Sequence, residues 1–129
     1  MPKFECLNIE IKNQVLHLEL NRPRKANAIN RTMWFEILDA YEWIAQQPDI
    51  HVVVLSGAGK QFTSGADLNF LMEVMDSTQK QPQAQEEYLK GQIVQMQQAF
   101  NAIHACSIPT IAAIHGVCIG GGVDLISAC

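Results

Sequence analysis

Val52-Val53-Val54-Leu55, followed by the Gly- and Ser-rich stretch Ser56 to Asp67, decides the fold class. The run is β-branched and does not alternate, so it reads as a strand buried on both faces. Strands of that kind sit in parallel sheets, and parallel neighbours need crossover segments between them, usually helices. The flanking sequence supplies these. Upstream, Met33, Ile37, Tyr41 and Ile44, with Trp34 and Leu38 beside them, recur at helical spacing between a candidate N-cap at Asn30 and Pro48, which predicts a helix over 31–47. Downstream, Leu89, Ile93, Met96, Phe100 and Ile103 step by four, three, four and three, the clearest helical stripe in the chain, near 85–105. The Met and Phe of that stripe read as core rather than as a ligand wall. Ser107-Ile108-Pro109 ends the helix, and Thr110-Ile111-Ala112-Ala113-Ile114 reads as the next buried strand.

Outward from this centre, Leu7, Ile9 and Ile11 alternate with polar residues, and so do Leu16, Leu18 and Leu20 after a turn at Asn13-Gln14. Two such runs predict an antiparallel hairpin with one buried face. Asn21 to Asn30 is a polar loop, and Leu68 to about Met75 reads as a short helix. Asp76 to Gln85 is polar, Gln-rich and carries Pro82, so it reads as a mobile connection. Gly116 to Gly122 is a glycine-rich turn, and Val123 to Cys129 looks like the first turns of a further helix.

Composition sets the outer limits. The 129 residues suit one domain at most, and 48% apolar against 17% charged residues excludes global disorder. The net charge of −4 argues against nucleic acid as the main partner. Mean hydropathy is +0.02, and no apolar run approaches the length of a bilayer span. Met1-Pro2-Lys3-Phe4-Glu5 holds no apolar signal core. The cysteines, Cys6, Cys106, Cys118 and Cys129, form no CxxC pair, which suits a reducing compartment, and the cytoplasm is the expected location. His115-x-x-Cys118 is half a metal site with no second pair, so no metal is expected.

Two loops could carry chemistry: Thr63-Ser64-Gly65-Ala66-Asp67-Leu68 and Ile119-Gly120-Gly121-Gly122-Val123-Asp124-Leu125. Each follows a buried strand and precedes a helix, the position where α/β proteins bind ligands. Glycine lets the backbone approach a ligand, and helix N-termini offer free N–H groups. Two such loops facing each other make a two-donor oxyanion hole. Nucleotide motifs fail on detail. Gly57-Ala58-Gly59-Lys60 is no P-loop, because Val54 stands at the upstream glycine and Gln61 at the Ser/Thr. Gly120-Gly121-Gly122 is no dinucleotide fingerprint, because Leu125 stands at the last glycine. Gly-rich turns of this kind also serve as plain packing devices, and Asp124 in a first helical turn is favoured by the dipole alone.

At these loops the chain resembles the crotonase family, the enoyl-CoA hydratases and isomerases. Four segments match in order: Asn21-Arg22-Pro23-Arg24-Lys25-Ala26-Asn27-Ala28, Phe62 to Leu68, Pro109 to Gly116, and Gly120 to Leu125. The resemblance implies a spiral of ββα units, of which residues 1–129 would be the N-terminal portion, and an acyl-CoA thioester as substrate, with coenzyme A belonging to that substrate and no separate cofactor. It implies that the backbone N–H groups of Ala66 and Gly121 hold the thioester oxygen. It places the CoA along Arg24, Lys25, Ala26 and Ala28, along Ser64, Gly65, Ala66, Asp67 and Leu68, and at Gly122. For the full-length family domain it implies a homo-oligomer, a trimer or a dimer of trimers.

Hydratases of the family carry glutamate where this chain has Asp124. The Gly-Gly-Gly-Val-Asp-Leu form looks more like the dienoyl-CoA isomerases, which convert a 3,5-diene to a 2,4-diene in fatty-acid β-oxidation. Their two proton-carrying carboxylates lie beyond position 129, so the resemblance makes Asp124 a third, supporting carboxylate. A hydratase and a catalytically incomplete acyl-CoA-binding fragment stay open as alternatives. The expectation for the 129 residues alone is an incomplete domain that self-associates and turns over little substrate.

Overall fold

Leu7, Ile9 and Ile11 stand opposite Leu20, Leu18 and Leu16, so two alternating strands share one apolar face. These are β1 (Leu7–Lys12) and β2 (Val15–Leu20), antiparallel across a turn in which Asn13 and Gln14 both take positive φ, at 51° and 66°. Two left-handed residues match the twist of a tight hairpin. The computed structural model describes residues 1–77 and 82–129. After the hairpin come a 3-10 turn (Pro23–Lys25), α1 (Arg31–Ile44), β3 (Val52–Gly57), α2 (Leu68–Ser77), α3 (Pro82–Ala105), β4 (Thr110–Ala112) and α4 (Gly121–Ser127). The sheet order is β1-β2-β3-β4, with β3 parallel to both β2 and β4. A hairpin followed by parallel strands and crossover helices is the expected α/β arrangement.

α1 begins where expected, because Asn30 Oδ1 accepts the Met33 N–H at 2.9 Å as a true N-cap. It ends at Ile44 rather than 47: Gln46 and Gln47 donate three residues back, to Trp43 and Ile44, and tighten the last turn ahead of Pro48. α1 crosses the apolar face of the sheet. At one end the Glu36 carboxylate accepts the backbone N–H groups of Glu5 (2.6 Å) and Cys6 (2.8 Å), and at the other the Tyr41 hydroxyl meets Thr110 Oγ1 at 2.9 Å. Between them Met33, Ile37, Ala40 and Ile44 are buried with Leu16, Leu18, Leu20, Val53 and Leu55. Each such side chain contributes about 1.5–3 kcal/mol by leaving water. α3 packs along α1 and buries Ala99 and Ile103.

Two expectations need correction. β3 is not buried on both faces: Val53, Leu55 and Gly57 are buried, while Val52, Val54 and Ser56 are only half-buried. β4 stops at Ala112, and its outward residue Ile111 is 58% exposed. The physical reason is common to both. The described helices cover the face carrying Leu16 and Val53, while on the other face residues 1–4 only line an open hollow with Glu10, His17, Glu19 and Ser56. The mobile connection expected over 76–85 is also revised: Asp76 and Ser77 end α2, and Pro82 to Gln85 begin α3. The remainder of that expectation, residues 78–81, lies outside the described residues.

Past the carboxyl ends of β2, β3 and β4, the chain pairs again in the same order. Ile29 bridges Ala66 and Thr63 bridges Cys118, both in parallel. Two buried polar side chains hold this second tier. Asn27, fully buried at φ 52°, donates to the carbonyls of Ala58 and Gln61 (2.8 Å each) and accepts the Arg22 N–H at 2.8 Å. Thr63, also fully buried, donates its hydroxyl to the Asn27 carbonyl at 2.7 Å and accepts the Gly65 N–H at 3.1 Å. Asp67 then starts α2, accepting the Phe70 N–H at 3.1 Å while pairing with the Arg22 guanidinium at 3.1 Å. Burial alone would raise the Asp67 carboxyl, but the Phe70 N–H and the Arg22 charge outweigh it and hold it below the usual carboxylate range.

Asn27→Ala leaves two part-buried carbonyls and a part-buried N–H without their partner, and places a Cβ residue without a side-chain acceptor at positive φ. A loss of about 3 kcal/mol is expected, read as a lower urea midpoint at unchanged slope. Asp67→Ala removes the cap and the ion pair at a cost of about 1 kcal/mol near neutral pH. Because the folded carboxyl is held low, its contribution is complete above the unfolded value of about 3.9 and is lost as pH falls through the lower folded value. Urea midpoints of the parent and Asp67→Ala should therefore converge below about pH 3.9, and a constant difference down to the acid limit would contradict the assignment.

Candidate active site

The loop 63–67 runs between the other two. Ser64 N donates to Ala26 O at 2.9 Å, Ile29 N to Gly65 O at 2.8 Å and Asp67 N to Ile29 O at 2.9 Å, while Thr63 N donates to Val117 O at 3.0 Å. This pattern uses the N–H groups on either side of Ala66 and leaves its own aside. Gly121 opens α4, where a first-turn N–H has no carbonyl behind it to bond. Among the described residues, neither the Ala66 N–H nor the Gly121 N–H has a hydrogen-bond partner. The two loops lie against each other: a Cβ on Gly65, whose φ is +90°, would stand 2.8 Å from Ile119 O and 3.1 Å from Gly121 N. One on Gly121 would stand 3.5 Å from Ala66 N. Glycine at 65 is therefore required by both space and backbone angle.

Ala66, Gly121 and Asp124 line one cavity of about 360 Å³, closed by Trp34 of α1, Leu71 of α2, and Ile93, Met96, Gln97 and Phe100 of α3. The stripe expected to be core is thus divided. Its C-terminal end, with Ala99 and Ile103, is buried, whereas Ile93 is 41% exposed and forms cavity wall with Met96 and Phe100. Phe100 meets the Trp34 ring edge-on at 4.8 Å, so α3 and α1 wall the cavity together at the mouth between the two loops. Asp124 is exposed in the first turn of α4 and is the one carboxylate on this wall among the described residues. A chamber lined by apolar side chains, with two unpaired N–H donors and a carboxylate on one wall, suits a ligand that combines a hydrocarbon portion with a polarisable oxygen.

The remaining expected residues lie outside this cavity. Arg24 and Lys25 are exposed and line a separate hollow of about 320 Å³ with Asn21, Arg22 and Pro23. Ala26 takes φ 50°, and its carbonyl is occupied by Ser64 N, which sets 24–28 beside 64–68. The Ala28 carbonyl accepts the Arg22 guanidinium at 2.5 Å. Leu68 is 74% exposed. The Asp67 carboxylate is taken by its cap and Arg22, its N–H by Ile29 O and its carbonyl by Leu71 N, so Asp67 is a structural residue of the loop. Gly122 is buried, its N–H donates to Ile119 O at 2.9 Å, and a Cβ there would lie 2.6 Å from Thr63 Cγ2. It is a packing position. The sequence reading passed over Asn27, Arg22 and Trp34. The opposite charges of Arg22 and Asp67, each flanking a loop, were the available signal for one pair. His115, weighed with Cys118 as half a metal site, places its Nε2 2.8 Å from Gly59 O. No described helix is long and apolar enough to cross a membrane.

Comparison with known proteins bears on the family and the fold. Over 128 residues the chain is 47% identical to the mitochondrial Delta(3,5)-Delta(2,4)-dienoyl-CoA isomerase of Mus musculus, covering 98% of this chain and 39% of that protein. It is 45% identical to the peroxisomal protein of the same name from Arabidopsis thaliana, covering all of this chain and 48% of the relative. The chain thus spans less than half the length of either. Those names carry mitochondria and peroxisomes, and lend the expected cytoplasmic location no support. A crystal structure of an enoyl-CoA hydratase/carnithine racemase from Magnetospirillum magneticum superposes with a TM-score of 0.84 at 35% identity, over 98% of this chain and 45% of that one. The crotonase-type fold expected from the sequence is the fold of that neighbour. The model of the enoyl-CoA hydratase/isomerase family matches residues 10–129, a span that includes β2, both glycine loops and the opening of α4, and the chain belongs to that family.

Proposed function

We propose that the cavity binds the acyl portion of a CoA thioester and that the N–H groups of Ala66 and Gly121 hold its carbonyl oxygen, in service of a 3,5-dienoyl-CoA to 2,4-dienoyl-CoA isomerisation. The observation that carries this reading is the pair of unpartnered N–H groups on one wall of an apolar cavity. Loss of a proton from C2 of the diene puts negative charge on the thioester oxygen and along the conjugated chain. Fixed donors stabilise that charge by about 2.7–4 kcal/mol each. The proton returns at C6, the double bonds move to C2 and C4, and no redox partner is required. The names of the relatives support the isomerase, and a role in fatty-acid β-oxidation follows from that substrate.

Asp124 stands at the cavity wall and supports the site as a carboxylate near the chain. One carboxylate cannot efficiently take a proton at C2 and deliver another at C6, four bonds away. We place the main acid–base pair outside residues 1–129, and treat these residues as the N-terminal portion of the domain. Arg24 and Lys25, exposed beside the loop that reaches Ala66, would meet the CoA phosphates. The exposed apolar residues from β4 onward, Ile111, Ile114, Val117 and Ile119, support self-association of the 129 residues, and oligomers of the longer protein.

The 129-residue chain should bind a non-reactive acyl-CoA in calorimetry yet turn over 3,5-dienoyl-CoA at least about 10²-fold more slowly than a chain extended to the relatives' length, since each acid–base group contributes about 10²–10⁴-fold. Gly65→Ala, which drives a Cβ into Ile119 O, should abolish that binding. Equal turnover by the short chain would return the proton chemistry to Asp124, and hydration of enoyl-CoA by the extended chain without isomerisation would make it a hydratase. Light scattering of the purified chain should give a mass above 14.4 kDa, falling towards it when Ile111 and Ile114 are changed to Thr.

A further inference from the structure

Among the described residues no peptide bond is cis, so each peptide unit points its C=O and its N–H in opposite directions. Two such units stand in series between Arg22 and the cavity. An Arg22 Nη1–H donates to Ala28 O at 2.5 Å. The far end of that peptide is the Ile29 N–H, which donates to Gly65 O at 2.8 Å. The far end of the next peptide is the unpaired Ala66 N–H. Gly121 lies beside it, since a Cβ built there would stand 3.5 Å from Ala66 N. The parallel bridge between Ile29 and Ala66 holds the series in line. A guanidinium therefore heads a chain of two hydrogen bonds that ends at a free donor on the cavity wall.

We infer that Arg22 is a positioning residue that polarises the Ala66 N–H through the Ala28–Ile29 and Gly65–Ala66 peptides. The use of that donor rests on the reading that Ala66 holds a thioester oxygen, whereas the polarisation is a property of the free chain. Hydrogen bonds in series strengthen one another, by about 10–30% per bond, and a charged donor makes the strongest first link. The cation draws electron density towards Ala28 O and leaves the Ile29 N–H more positive, and Gly65 passes the same bias to Ala66. Arg22 Nη1 also meets Asp67 Oδ2 at 3.1 Å, so the carboxylate offsets part of the charge. The two side chains are only 19% and 13% exposed, so water screens this exchange incompletely. The loop itself does not need the guanidinium. The Arg22 backbone N–H donates to Asn27 Oδ1, and its carbonyl accepts the N–H groups of Lys25 and Asn27.

The test uses the ¹⁵N-labelled full chain and butyryl-CoA carrying ¹³C at the thioester carbonyl. In the free chain, Arg22→Met should move the Ile29 and Ala66 amide protons upfield. Arg22→Lys, which keeps a cationic donor, should bring them back towards the parent. Asp67→Asn keeps a cap acceptor for Phe70 but removes the opposing charge, so the Ala66 proton should move downfield beyond the parent. A pair that merely holds the loop together gives the reverse, with Asp67→Asn shifting in the same direction as Arg22→Met. With the labelled thioester bound, its carbonyl resonance should be displaced from the free position by about 10–30% less in Arg22→Met than in the parent, while binding persists. An Ala66 proton that Arg22→Met leaves in place, or that Met and Lys shift equally, overturns the inference. An upfield shift in Asp67→Asn also overturns it, and that variant decides the matter if Arg22→Met does not fold. A labelled carbonyl that stays at its free position when bound to the parent refutes the thioester reading instead, and the amide shifts of the free chain still decide the polarisation.

Discussion

The hydrogen bond from the Thr63 hydroxyl to the Asn27 carbonyl, 2.7 Å long and buried, ties the loop after β2 to the loop that carries Ala66, the first of the two that form the candidate site. Through it the loop after β2 fixes the loop after β3, and the same hydroxyl takes the Gly65 N–H and sets the turn into Ala66. Thr63 also meets the loop after β4, bonding Val117 through its N–H and receiving Ile119 at its carbonyl. Three connections that would otherwise move independently become a second tier of sheet. An unpaired N–H at Ala66 is useful for chemistry only because its neighbours are so fully bonded.

Much of the fold was legible because it rests on periodicity. The alternation of Leu7, Ile9 and Ile11 against Leu16, Leu18 and Leu20 predicts the hairpin, and the four-three steps along α3 predict that helix. What periodicity does not carry is which side of an element meets water. Val52-Val53-Val54-Leu55 is apolar throughout, but only its inward residues are buried, because apolar composition records what a strand tolerates rather than what lies over it. The same limit hid the division of α3. Met96 and Phe100 have the spacing of core residues, and they line a cavity together with Trp34 of α1.

The two glycine loops were legible as a candidate site on their position after strands and before helices. Their scaffolding was not. Asn27 looks like any polar loop residue, and its three side-chain hydrogen bonds run to partners 5 to 34 positions away. Gly122 sits in the same Gly-Gly-Gly run as Gly121, but one spaces the loop from Thr63 while the other opens a helix towards the cavity. Adjacent glycines carry opposite duties, and only the direction of the backbone separates them.

The second tier of pairing has a consequence for how the protein acquires its site. Ala66 and Gly121 are 55 positions apart, and what brings them together is the pairing of segments that follow β3 and β4, with all of α2 and α3 in the intervening chain. Loop closure over that length comes late and costs entropy before any contact returns it. The hairpin and α1 can form from local contacts, whereas the cavity exists only once the β3–β4 register is fixed. Amide exchange at Thr63 and Ile119 should accordingly follow cooperative opening of the β3–β4 pair, and a chain in which that pair opens loses the Ala66–Gly121 corner before it loses its core.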